Sequence, residues 1–316
     1  MNRVLITPKS FPRTMTEPAE LLKAAGLEPI YNTSGRTMTE DEIIEVSRQG
    51  VVGIIVGVDP ISAHVLEDLP DLKAVSKYGM GTDNIDSQRA KELAIDVRVA
   101  AGTNNVSVAE LAIGLLFAIA RKIPLTVAEV KKGSWQRVMG NEVTGKTLGL
   151  IGAGQIGREV ALRARGLCMN VIVYDPYLQD DSFFKEHHIA ISSSLEGVLG
   201  VSDFVSLHVP ATAATHHLIN ETTLSYCKPS CYLINTSRGE LVDEEALYNA
   251  LLNKKLAGAA QDVFSIEPPP SNHKLLELDS FILTSHTGAY TQEAVERMAV
   301  KATENLLSML KEKQQG

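Results

Sequence analysis

The sequence predicts an α/β protein made of two doubly wound parallel-sheet domains. Three observations predict it. Apolar runs of strand length alternate with helical patterns from one end of the chain to the other, as parallel sheets covered on both faces require. One of these alternations opens with a glycine-rich turn between a strand and a helix. The chain, at 316 residues with 44% hydrophobic and 22% charged residues, is long enough to fill two cores.

In chain order, strands are expected at 3–7, 51–56, 72–77 and 96–100, separated by helical stretches near 17–25, 39–47, 62–67 and 86–93. This first alternation holds no dinucleotide-type glycine turn. A second begins at Thr147 and continues through Val171, Phe204, Tyr232 and Ala257 to residues 281–284. The last helix, about 292–310, follows the completed second sheet and is expected to cross back to the first. The first domain is then discontinuous, 1–101 with 287–316, and 102–286 forms the second.

The helix at 106–122 is apolar around nearly its whole circumference, so it must be covered on all sides. Its 17 residues are few for crossing a bilayer, and Glu110 and the charged ends argue against that. It is either buried wholly within one chain or packed against its copy in a two-fold homodimer, the commonest soluble assembly, and the dimer is the expectation. The stretch after it holds the only tryptophan, Trp135, a residue type favoured at interface centres.

Composition excludes several classes. The net charge of −8 and the lack of a lysine-arginine run argue against nucleic acid or an anionic membrane as a partner. Residues 1–10 lack the long apolar core of a signal peptide, which points to the cytoplasm. Three cysteines, Cys168, Cys227 and Cys231, cannot all pair. Without Cys or His neighbours at ligand spacing they read as reduced small hydrophobes, and no metal is expected.

The glycine turn is Lys146-Thr-Leu-Gly-Leu-Ile-Gly-Ala-Gly-Gln-Ile-Gly157: a short strand, a tight turn and a helix over about 155–166. Gly152 permits the turn, Gly154 lets the backbone approach a pyrophosphate, and Gly157 lets the helix pack on its strand with its N-terminus toward the anion. The next strand ends at Asp175, roughly 20 residues on, where a carboxylate can accept from a ribose diol. Asp175 would repel a 2′-phosphate, and Pro176-Tyr177 supplies no arginine to hold one. NAD rather than NADP is therefore the expected cofactor. The bland alternative is a glycine-tight turn beside a solvated aspartate.

Three later segments carry the chemistry. In Ile234-Asn-Thr-Ser-Arg-Gly239 a buried strand ends at Arg238, where ligands of such sheets bind and where a guanidinium can grip a carboxylate through two parallel bonds. Another strand end, in Gln261-Asp-Val-Phe-Ser-Ile-Glu-Pro268, places Asp262 and Glu267 on the loop beyond it. The third, Leu283-Thr-Ser-His-Thr-Gly288, carries His286. Singly each is ordinary: a structural ion pair, a solvated carboxylate, a turn histidine. Together, at the carboxyl ends of strands of one dinucleotide-binding sheet, they read as one catalytic group.

These segments, with Lys77-Tyr-Gly-Met-Gly-Thr-Asp-Asn-Ile-Asp86, Val108-Ala-Glu110, Leu207-His-Val-Pro210 and Glu240-Leu-Val-Asp-Glu244, occur in the order found in the D-isomer-specific 2-hydroxyacid dehydrogenases. The chain resembles that family over essentially its whole length, and most of all its phosphoglycerate dehydrogenase branch. The resemblance implies a Rossmann-type cofactor domain inserted in a flavodoxin-like substrate domain, with dimerisation through the 106–122 helix. It implies that Arg238 orients the substrate carboxylate and carbonyl, that His286 is the acid/base and that Glu267 is its partner. Cofactor contacts would come from Gly152, Gly154, Gln155, Ile156, Gly157, Asp175, Val209, Pro210, Thr236, Ser237, Asp262 and Gly288. Substrate contacts would come from Lys77, Tyr78, Gly79 and Met80 together with Arg238. Ser285 stands where proline is common in the family, a departure expected to affect loop stiffness more than chemistry.

The implied reaction is hydride transfer between a nicotinamide and a small 2-hydroxy or 2-oxo acid. In reduction, protonated His286 delivers a proton to the developing alkoxide while Arg238 stabilises its charge. Lys77, Lys9 and Arg13 are candidates to read a second anionic group, which makes 3-phosphoglycerate or a related anion the first substrate and glyoxylate, hydroxypyruvate or lactate the second; solvated surface charge is their ordinary alternative. An NAD-sensing, corepressor-like interaction protein remains a reading from another class, and formate or phosphite oxidation is disfavoured by the 77–86 loop.

Overall fold

A computed structural model describes residues 2–12 and 16–315. The chain divides into two compact units, Met1–Asn104 with Ala289–Gly316, and Asn105–Gly288. The sequence places the boundaries at 101/102 and 286/287, whereas the units divide so that residues 102–104 fall in the first and Thr287 and Gly288 in the second.

The first unit is a five-stranded parallel sheet of β1 (Arg3–Ile6), β2 (Glu28–Tyr31), β3 (Val51–Val56), β4 (Ala74–Lys77) and β5 (Asp96–Val99), in the order β2-β1-β3-β4-β5. Every residue of central β3 is buried because both faces of the sheet are covered. On one face Met298, Ala302 and Leu306 of the long helix Gln292–Gln315 pack with Val4, Ile6, Val52 and Ile55. On the other lie Ile43, Ile44, Val65 and Leu66. Thr39, Ser62 and Asp86 cap the intervening helices by accepting from the backbone N–H three residues on. β2 is a strand that the sequence reading lacks. Pro29 removes a donor and Glu28 is exposed, features compatible only with the sheet edge where β2 lies.

The second unit is a seven-stranded parallel sheet: β6 (Thr147–Ile151), β7 (Asn170–Tyr174), β8 (Ala190–Ile191), β9 (Phe204–Leu207), β10 (Tyr232–Asn235), β11 (Gly258–Gln261) and β12 (Phe281–Leu283). Its order, β12-β11-β10-β9-β6-β7-β8, reverses at β6 and β9, so the loops after these two strands diverge and leave a crevice between them. β8, two exposed residues at the edge, is too short to leave a periodic trace in the sequence.

The apolar helix runs Asn105–Ala120, not to residue 122. Lys122 takes a left-handed conformation (φ 51°), and a second helix, Ile123–Lys131, restarts with Pro124 in its first turn at 61° to the first. Eight residues of the first helix are buried within the unit. Val106 and Gly114 stay exposed, as does Glu110, which pairs with Arg163 at 3.3 Å. The second helix has no buried residue, and Trp135 and Met139 beyond it are 86% and 88% exposed. No single helix among the described residues is long and apolar enough to cross a membrane.

Candidate active site

Six strand ends of the second sheet, those of β6, β7, β9, β10, β11 and β12, supply the site. At the end of β6, Gly152 has φ 108°, and a Cβ there would lie 2.4 Å from the His208 carbonyl oxygen. A Cβ on Gly157 would lie 2.3 Å from the Gly152 oxygen, whereas one on Gly154 would meet nothing within 4 Å. Two glycines thus bring strand, turn and helix into contact, and the third keeps a surface open. The helix Gln155–Gly166 begins at Gly154 with no side-chain cap, so its first N–H groups face that opening. Asp175, just past β7, accepts from Ala153 N through Oδ2 and from Tyr177 N through Oδ1, both at 2.9 Å. Each carboxylate oxygen keeps a further lone pair for a ribose hydroxyl. A cradle that Cβ atoms would fill, an uncapped helix start and an acid at the neighbouring strand end fit a dinucleotide.

Asp175→Ser should therefore weaken NADH binding about tenfold, the effect of losing a charged hydrogen bond, and narrow the preference over NADPH. Fluorescence titration of the two cofactors measures it. An unaltered NADH dissociation constant would remove Asp175 from the ribose site.

The other cofactor candidates divide into those beside this cradle and those that brace the sheet edge. Gln155 and Ile156 open the helix; Gln155 Oε1 accepts from Asn105 Nδ2 at 2.8 Å, and Ile156 is half-buried against the core. Val209 lies beside the Gly152 turn, where its Cγ1 would be 3.0 Å from an added Cβ, and Pro210 is exposed beyond it. Thr236 is buried, with no partner for its hydroxyl among the described residues. Ser237 donates to the Leu207 carbonyl at 2.7 Å, tying the ends of β9 and β10 together.

Asp262 is engaged within the protein. Its side chain, buried at the end of β11, accepts from Thr284 Oγ1 at 2.5 Å and from the backbone N–H groups of Thr287 at 2.9 Å and Gly288 at 2.7 Å, while its own carbonyl accepts from His286 N at 2.8 Å. The Gly288 carbonyl in turn accepts from Ser107 at 2.6 Å. Asp262 thereby clamps the loop that carries His286, which adopts a left-handed backbone (φ 54°) that non-glycine residues seldom take.

Glu267 and His286 are brought into contact, and the charge of Arg238 acts on Glu267. Glu267 Oε2 lies 2.8 Å from His286 Nδ1, and Oε1 accepts from Phe264 N at 2.9 Å. Burial by itself would raise the carboxyl of Glu267. The hydrogen bonds from His286 and the Phe264 amide, with the positive charges of His286 and nearby Arg238, outweigh it and hold the group below its ordinary value. Arg238 Nη1 donates to the Ser237 carbonyl at 2.7 Å. With Nδ1 engaged, His286 has Nε2 left to exchange a proton with substrate.

The remaining candidates lie in the first unit. Lys77 ends β4 with its ammonium buried, donating to the Gly57 carbonyl at 2.5 Å and to Asn84 Oδ1 at 2.6 Å. Tyr78 is buried and donates to the Val295 carbonyl at 3.1 Å, and burial pushes its hydroxyl up to about 12. Gly79 has φ 133° and Met80 is exposed. Lys9 is exposed, and Arg13 lies outside the described residues.

His208 is a site-edge residue that sequence reasoning did not single out. Its Nε2 is 2.9 Å from Ser206 Oγ, and burial pushes its ring down to about 4, which keeps it neutral beneath the glycine turn. The Leu207-His-Val-Pro210 segment was the only signal, and it marks the strand end without revealing the burial.

Known proteins resemble this chain in sequence and in fold. The sequence profile described as "D-isomer specific 2-hydroxyacid dehydrogenase, NAD binding domain" matches residues 113–288. The chain is 38% identical over 287 residues to a hydroxypyruvate reductase of Thermotoga maritima, covering 86% of this chain and 89% of that protein. It is 38% identical over 276 residues to a D-3-phosphoglycerate dehydrogenase of Methanocaldococcus jannaschii, covering 87% of this chain and 52% of that protein. The structure of an Aquifex aeolicus D-lactate dehydrogenase complexed with NAD and lactic acid superposes with a TM-score of 0.83 at 31% identity, over 99% of this chain and 96% of that one.

Proposed function

The chain belongs to the D-isomer specific 2-hydroxyacid dehydrogenases and is an NAD-dependent oxidoreductase, and on that premise we propose that Arg238, Glu267 and His286 interconvert an anionic 2-hydroxy acid and its 2-oxo acid. The observation that carries the assignment is the 2.8 Å contact between His286 and Glu267, a carboxylate on which the charge of Arg238 also acts. Bound NADH supplies the hydride. In reduction His286 gives up the proton on Nε2 to the substrate oxygen, and Arg238 stabilises the negative charge that develops there. In oxidation the neutral ring takes the hydroxyl proton at the same nitrogen.

The sign of the pH dependence follows from the pair. Because the carboxyl value of Glu267 is depressed, its pairing with His286 is present above the ordinary carboxylate range and is lost only as pH falls through the lowered value. Across neutral pH a charged carboxylate therefore stands against His286 Nδ1. Glu267→Gln should therefore move the high-pH loss of reduction and the low-pH loss of oxidation both toward lower pH. Rate profiles in the two directions measure this, and unmoved midpoints would reject the pairing.

For the substrate, D-3-phosphoglycerate or a related anionic acid is the first reading, supported by the likeness to a D-3-phosphoglycerate dehydrogenase. A small acid of the hydroxypyruvate or glyoxylate type is the second. It is favoured by the burial of Lys77, whose donors are directed at Gly57 and Asn84. Steady-state rates with NADH across a panel of 2-oxo acids test the two; 3-phosphohydroxypyruvate turning over no better than glyoxylate would remove the first.

The exposed apolar side chains of Ile123, Val127, Val130, Trp135 and Met139, continuous in sequence with the helix Asn105–Ala120, support a homodimer formed through this segment. A monomeric mass by light scattering would reject it.

A further inference from the structure

We propose that Glu244 is a positioning residue for the acid–base pair: it fixes the loop from which Glu267 reaches His286. The inference rests on the reading of Glu267 and His286 given above, and it adds a residue that touches neither substrate nor imidazole.

The local chain explains why Glu244 is available. After Arg238 the backbone makes a short 3-10 turn, Gly239–Leu241, and Asp243 then caps the helix Glu244–Leu252 by accepting from Glu245 N and Ala246 N at 3.0 and 3.1 Å. Glu244 is thus the first residue of a helix, where the unpaired N–H groups favour a negative side chain. Its carboxylate is not left in solvent: the side chain is only 16% exposed. Oε1 accepts from Ser265 N at 2.9 Å, and Oε2 lies 3.4 Å from His273 Nε2. His273 Nδ1 accepts from Leu275 N at 3.4 Å, which places the ring proton of the neutral form on Nε2, facing Glu244.

Two carboxylates therefore hold two successive amides of one loop. Glu267 Oε1 takes the N–H of Phe264 and Glu244 Oε1 takes that of Ser265. The loop is pressed from beneath as well, since a Cβ on Gly239 would lie 2.0 Å from the Phe264 carbonyl carbon. Its far end is closed by His273, whose ring meets that of Phe264 edge-on at 4.8 Å. Without Glu244 the Ser265 amide would lose its acceptor, and the loop from which Glu267 reaches His286 would no longer be held to the helix Glu244–Leu252 by that bond.

Among the described residues the charged groups around this pair can be separated. Arg238 and His286 face Glu267, and Asp262 holds the His286 backbone. His273 faces Glu244, and the Lys274–Glu245 ion pair lies beyond it. Of these, Glu244 is the carboxylate that bonds a backbone amide of the Glu267 loop without touching His286 or Glu267.

The test measures rate against pH in both directions, with NADH affinity by fluorescence, for Glu244→Ala, Glu244→Asp and Glu244→Gln beside Glu267→Gln. Glu244→Ala should lower kcat about tenfold, the equivalent of one hydrogen bond to a charged group. It should also move the His286-controlled midpoints toward lower pH, by less than Glu267→Gln does, with NADH affinity unchanged. Glu244→Asp keeps the charge but is too short to reach Ser265, and should behave as Glu244→Ala; Glu244→Gln keeps an acceptor for the Ser265 N–H and should recover most of the loss. Midpoints that stay at the parent values in both Ala and Asp variants, whatever the fall in rate, would overturn the proposal, as would an Asp variant that performs better than Gln. If Glu267→Gln itself leaves the midpoints in place, the acid–base assignment fails and this inference falls with it, an outcome distinct from failure of the Glu244 variants alone.

Discussion

Replacing His286 with alanine should lower turnover at least about a hundredfold in both directions, with NADH affinity within about twofold of the parent. The asymmetry follows from where the ring sits. Its Nδ1 is bound to Glu267, its backbone is held by Asp262, and the glycine turn with Asp175 is built from different strand ends. Removing the imidazole deletes the proton relay and leaves the cradle untouched. Stopped-flow reduction and a fluorescence titration separate the two. Near-parent turnover would end the acid/base assignment, and an equal loss in both measurements would show that His286 acts through the fold.

Arg238→Lys should lower kcat/KM for the 2-oxo acid by about a hundredfold or more, although the charge is kept. A guanidinium presents a planar fork that can meet a carboxylate through two parallel bonds and still lie beside the carbonyl oxygen; an ammonium offers one point of charge on a flexible stem. Loss of a single donor aimed at a developing oxyanion commonly costs about 2.7–4 kcal/mol. Arg238 is anchored through Ser237 at the end of β10 and contributes to the depressed carboxyl value of Glu267. The lysine variant should therefore also shift the pH midpoints slightly. Saturation with several 2-oxo acids tests it: an unchanged kcat/KM for all of them would place the substrate elsewhere.

Much of this was legible in the sequence because it depends on local grammar. The glycine turn needs three residues without side chains at fixed spacing, and the uninterrupted burial of β3 appears as an unbroken apolar run. Arg238, Glu267 and His286 each follow a strand, so their convergence comes from the parallel order of β10, β11 and β12. What escaped the sequence was settled by contacts across long stretches of chain. β2 is placed by its pairing with β1, not by its own composition. Lys77 reads as a surface cation until Gly57 and Asn84 are found to enclose its ammonium. Glu244 looks like an ordinary first-turn acid of a helix, and only the return of the chain at Ser265 and His273 gives it partners. The apolar helix ends early for a local reason, a left-handed Lys122 with Pro124 two residues on, whose effect on the end point depends on how the chain turns there.

The grip of Asp262 on the turn around His286 bears on timing. Three successive residues there, from 286 to 288, are tethered to one aspartate through its carbonyl and both carboxylate oxygens. The unusual backbone at His286 is thus settled while the protein folds, and none of that ordering has to be repeated when a substrate arrives. On the acid–base reading of His286, each catalytic cycle would begin with the backbone of its proton carrier already held.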